Sequence, residues 1–137
     1  MAINLSPVAF VLKLNGDITG NEYQGNFECK RLLSHRDRIN KDAIKRGLLG
    51  AQPEAASNDA VFRAEMLAHL SVSLLDAPKF WKESNNGLDL FDDNIVIDLF
   101  GKVIEIQNEE VKKIAKDGEG AKKAVKEKAL KKEETEE

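Results

Sequence analysis

A single cysteine, Cys29, has nothing to pair with inside the chain, which excludes an internal disulfide and fits a reducing compartment. With only His35 and His69 beside it, a classical four-ligand zinc site of cysteines and histidines is not expected. No apolar run approaches the roughly 20 residues that a membrane-spanning helix needs. The opening "MAINLSPVAFVLKL" lacks a basic region and a small-residue cleavage site, so no signal peptide is expected. Neither sign of charge dominates: 21 lysines and arginines meet 24 aspartates and glutamates, a net charge of −3. A general attraction to nucleic acid or to an anionic membrane is therefore not expected. The chain also lacks a glycine-rich phosphate loop, a Walker pattern and a nucleophile elbow.

The segment "VAFVLKLNGDITGNEYQGNFECK" reads as strand, turn, strand. Val8, Phe10, Leu12 and Leu14 alternate with Ala9, Val11 and Lys13, and Tyr23, Gly25, Phe27 and Cys29 alternate with polar residues on the way back. "NGDITGN" between them supplies the asparagine and glycine of a turn. Next, "LLSHRDRINKDAIKRGLLG" predicts a surface helix, capped by Ser34 with Asp37 three residues on and stopped by Gly47 or Gly50. "AQPEAASND" is a linker that ends in the cap candidates Ser57 and Asn58.

From Asp59 to Leu75 apolar residues cover much of a helix circumference, the pattern of a central helix. His69 falls inside it and reads as a buried structural histidine. Pro78 then breaks the helix or restarts it. A second long helix starts near Asp92, with Val96, Leu99 or Phe100, Val103 and Ile106 at helical spacing. Beyond Asp117 the lysines and acids nearly cancel and aromatics are missing. These elements predict an α+β, mainly α fold: an N-terminal β-hairpin packed on a small helical bundle over residues 1–110, with a charged, flexible C-terminal tail, partly helical or disordered, over 111–137.

The joint "APKFWKESNNGLDLFDDNIV" holds the only tryptophan and three aspartates. A calcium loop would need ligands at alternate positions, a central glycine and a closing glutamate, and the spacing here is wrong. Asn85, Asn86 and Gly87 are expected to turn the chain, Leu88 and Leu90 to pack back on the core, and Asp92 or Asp93 to cap the next helix. Phe80 and Trp81 are either core closure or an interface anchor. Cys29 and His35 are near in sequence, but a cysteine nucleophile needs a positioned base. The composition thus points away from an enzyme, a metal and any cofactor. The locally basic stretch from Lys30 to Arg46 fits a solvated face or an acidic partner better than nucleic acid, given the acidic total.

Three segments, "RLLSHRDRINKDAIKRGLLG", "AVFRAEMLAHLSVSLLDAPKFWKESNNGLDL" and "DDNIVIDLFGKVIEIQ", follow the hairpin in an order that resembles the tail assembly chaperones of long-tailed bacteriophages. The likeness is one of layout from about Val8 to Gln107, with the aromatic-then-glycine joint as its most distinctive part. It implies a protein of the host bacterial cytoplasm that coats the phage tape measure protein, recruits tail tube protein and leaves before the virion is complete. Self-association is compatible with coating a rod. Side-chain chemistry nominates Phe80, Trp81, Leu88 and Leu90 for apolar contact with the client, and Arg36, Arg38 and Lys45 for charge. The rivals are a structural virion protein and a small nucleic-acid-binding regulator.

Overall fold

The computed structural model describes residues 6–51 and 53–117. The expected tail from residue 118 onward lies outside the described residues. Strands β1 (Val8–Asn15) and β2 (Glu22–Cys29) form an antiparallel hairpin whose register sets Phe10 opposite Phe27, Leu12 opposite Gly25 and Leu14 opposite Tyr23. All the predicted inward residues therefore share one face. Phe10 stacks on Phe27 with centroids 5.5 Å apart. Gly25 is required on that face because a Cβ there would run into the ring of Pro78.

Helix α1 (His35–Leu49) begins with the predicted capping box: Asp37 N–H donates to Ser34 Oγ (3.2 Å) and Ser34 N–H donates back to Asp37 Oδ2 (3.0 Å). It ends at Gly50, whose φ of 84° suits glycine. No residue of α1 is buried, as expected for a surface helix. A 3-10 turn at Pro53–Ala55 leads to Ser57, which caps α2 (Asn58–Ser73).

The structure ends α2 earlier than the apolar pattern does. Leu74–Asp76 leaves the helix to form β3, which pairs antiparallel with β2 and makes a three-stranded sheet of order β1-β2-β3. Pro78 is the cause. It has no N–H to offer the Leu74 carbonyl, and its ring disfavours helical backbone at Ala77. Extended backbone instead lets Lys30 N–H donate to the Ser73 carbonyl at 2.8 Å.

Short helix α3 (Lys79–Glu83) and long helix α4 (Asp93–Asp117) complete the fold. Helix α4 runs unbroken past residue 110 to Asp117, so the first residues of the expected tail are helical. Its buried stripe is Ile95, Leu99 and Val103, one position from the expected start at Val96. These residues meet Leu12, Phe27, Cys29, Leu70 and Trp81 in one core between sheet and helices.

His69 is the structural histidine the pattern predicts. Its Nε2–H donates to Gln107 Oε1 at 2.7 Å, and the Gln107 amide donates to Lys30 O (3.2 Å) and Ser73 Oγ (3.1 Å). The Phe100 ring stands edge-on to the imidazole. Burial holds the His69 pKa below its ordinary value, against the opposing pull of the Gln107 hydrogen bond. The unfolded chain therefore takes up this proton more readily, and stability is complete above about pH 6.5 and declines below it. A thermal melting series from pH 7.5 to 5.5 checks this, and His69→Gln is expected to flatten the slope.

Candidate functional site

The joint after α3 is built around Trp81. Ser84 Oγ donates to the Trp81 carbonyl (2.8 Å) and accepts from Gly87 N–H (3.1 Å), while Asn86 N–H donates to Trp81 O at 3.0 Å. Asn85, Asn86 and Gly87 are three consecutive left-handed residues, with φ of 54°, 57° and 89°. This tight reversal folds the chain over the indole, and a Cβ on Gly87 would enter the Trp81 ring. Gly87→Ala is accordingly expected to lose about 2 kcal/mol or more of stability, since it combines backbone strain with a clash. Urea unfolding of the variant measures it.

The aspartates of this region have assigned tasks. Asp92 is buried and turned to the hairpin tip, where it accepts from Ile18 N–H (2.8 Å), Thr19 N–H (2.7 Å), Thr19 Oγ1 (2.6 Å) and Tyr23 OH (2.7 Å). Burial pushes its pKa up, but the bonds from Thr19, Tyr23 and Ile18 outweigh it and bring it down to about 2. Gly16 leaves the space that the carboxylate occupies. Asp93 forms a two-pronged ion pair with Arg63 (2.6 and 2.8 Å), and Arg63 also reaches Asp59 at 3.0 Å. The two carboxylates expected to cap α4 are thus taken up by the hairpin and by α2.

An apolar groove of about 330 Å³ opens where these parts meet. Helix α2 forms one wall with Phe62, Met66 and Leu67, and the first turn of α4 forms the other with Val96 and Ile97. Leu88 and Leu90 of the joint line it as well, and Asp59, Arg63 and Asp93 stand among its lining residues. Phe62 is 52% exposed, Leu88 51% and Ile97 48%, so the groove presents large apolar side chains to solvent. Phe91, next to Leu90 in the chain, is 73% exposed.

The predicted contact residues separate in space. Leu88 and Leu90 come together in the groove; Leu90 also packs on the core, whereas Leu88 does not. Trp81, only 2% exposed, and Phe80, tilted against Tyr23 and edge-on to Phe27, close the core. Of the two readings of the aromatic pair, the structure shows core closure. Arg36 and Arg38 stand exposed on α1. Lys45 instead shares Glu65 of α2 with Lys41, at 3.0 and 2.5 Å, which ties α1 to α2. Lys30 and Arg31 pair with Asp37 and Glu110, so much of the basic stretch is used internally.

Sequence reasoning missed Phe62 and Ile97. The signal was present in "IVI" at 95–97: three consecutive helical positions span about 200° of the circumference and cannot all face one core. Cys29 is buried and its thiol pKa is pushed up by that burial, against a weaker pull from Arg31, which makes it a poor nucleophile. Among the described residues no cluster of histidine, cysteine, aspartate and glutamate could hold a metal ion, and no helix is long and apolar enough to cross a membrane. No protein-family model matches the chain, and neither does any curated protein or solved structure.

Proposed function

We propose that this protein is a non-enzymatic assembly chaperone that captures amphipathic helices in the groove between α2 and α4. The observation that carries this reading is the exposure of Phe62, Leu88 and Ile97 around one concave apolar surface. A groove walled by two helices suits a third helix laid along it, with anchoring side chains at i, i+3, i+4 and i+7. Such binding is reversible, because apolar contact holds the client without a covalent bond.

The layout resemblance extends the reading to a client: the helical tape measure protein of a long-tailed phage, with tail tube subunits recruited to the complex. An assembly chaperone of this kind acts in the host bacterial cytoplasm and is absent from finished particles. Affinity purification of the tagged chain from infected cells tests it, with purified virions probed in parallel. Recovery of tape measure and tube proteins, together with absence from virions, supports the chaperone. Presence in the particle makes it a structural component instead, and salt-sensitive recovery of DNA makes it a regulator.

A further inference from the structure

The charges around the groove point to the kind of helix it takes. Arg63 is the sole cation among the described lining residues, which also include three acids: Asp59, Asp92 and Asp93. Asp92 is committed to the hairpin tip. Asp93 holds the Arg63 guanidinium with both oxygens, and that pairing leaves the Asp59 carboxylate with a single contact, to Arg63 Nε, at a side-chain exposure of 76%. The lining is thus one negative charge in excess even after Asp92 is set aside. Two further acids, Asp89 between Leu88 and Leu90 and Asp98 next to Ile97, are exposed and adjoin lining residues in the chain. The lysines of α1 stand outside this lining: Lys41 and Lys45 share Glu65, and no residue of α1 lines the groove.

From this we infer that the groove selects amphipathic helices whose apolar stripe is bordered by lysine or arginine, and rejects those bordered by acids. This rests on helix capture at the groove and adds the chemistry of the client to it. An apolar stripe alone fits any such helix. The excess of carboxylates beside the walls attracts flanking cations and repels flanking anions, and like-charge rejection is an effective source of specificity between helices of equal apolarity.

The test uses the full chain and two synthetic helical peptides that share one leucine stripe at i, i+3, i+4 and i+7. One carries flanking lysines and the other flanking glutamates, and binding is read by fluorescence anisotropy at low salt. The lysine peptide is expected to bind about tenfold or more tightly than the glutamate peptide, with the gap closing at high salt. Asp59→Lys is expected to narrow the gap, and its circular dichroism checks the fold, the replaced side chain being largely exposed. Equal binding of both peptides, abolished for both by Leu88→Glu, overturns the charge selection and leaves helix capture standing. Binding of neither peptide overturns both. Sedimentation of the free chain as a dimer that Leu88→Glu dissociates assigns the groove to a second copy and overturns both as well.

Discussion

Truncation of Trp81 to alanine is expected to remove about 3–5 kcal/mol of stability. A domain of this size has about 5–15 kcal/mol in total, so the variant should be largely unfolded under mild denaturant. The size of the effect follows from where the indole lies. It packs edge-on to Phe27 at 6.2 Å, belongs to the core shared by sheet and α4, and forms the surface over which the Asn85–Asn86–Gly87 reversal is folded. Its loss opens a cavity beneath backbone that cannot collapse into it, because three consecutive left-handed residues fix that backbone. Urea denaturation followed by circular dichroism gives the measurement. Trp81→Phe, which keeps much of the volume, should lose less than half as much. Failure of Trp81→Ala to capture a client would therefore report the state of the fold. Leu88→Glu is the variant that addresses capture, because a half-exposed side chain at the groove can change with little effect on melting.

Asp92→Ala is expected to lower the melting temperature by roughly 10 °C, the effect of several donors losing one charged acceptor. Asp92 links segments 69 to 74 residues apart: its carboxylate organises the Ile18–Thr19 turn and the Tyr23 hydroxyl at the point where α4 begins. Alanine leaves the two backbone N–H groups and both hydroxyls without this acceptor. Asp92→Asn should recover part of the loss, since one oxygen remains for the N–H groups and the hydroxyls can turn to accept from the amide. The folded pKa of about 2 lies below the ordinary value of 3.8. Asp92 therefore contributes stability that is fully present above about pH 4 and is lost as pH falls toward 2. Asp37, Asp76 and Asp93, each lowered by hydrogen bonds from Lys30, Lys82 and Arg63 respectively, act in the same direction. Acid titration of stability in the wild type and Asp92→Ala should differ by a shallower acid limb in the variant.

Much of this architecture is legible in the sequence because its signals are local. Alternation in Val8–Leu14 and Tyr23–Cys29 specifies the hairpin face, and Ser34 with Asp37 and Gly50 bound α1 through short-range hydrogen bonding and backbone preference. Features decided by distant partners are not legible in the same way. Leu74–Asp76 has the composition of a continuing helix, and only the free edge of β2 and the proline at 78 convert it to a strand. Asp92 and Asp93 sit where helix caps belong, yet their carboxylates bind the hairpin tip and Arg63, which no local pattern announces. At the candidate site, Leu90 and Leu88 could be nominated from the joint. Phe62 could not, because an apolar residue on an apolar helix looks like core until the packing leaves it half exposed among the described residues. Lys45 illustrates the converse: a surface-helix lysine with the chemistry of a contact residue is held by Glu65 within the chain.

The most direct test of helix capture is chemical-shift mapping of the isotope-labelled chain on titration with the synthetic lysine-flanked helical peptide. Saturable shifts concentrated at Phe62, Met66, Leu88 and Ile97 are expected, with Arg36, Arg38 and the β1 edge unchanged. Shifts centred on Arg36 and Arg38, or along the exposed edge of β1 with the groove silent, would contradict helix capture.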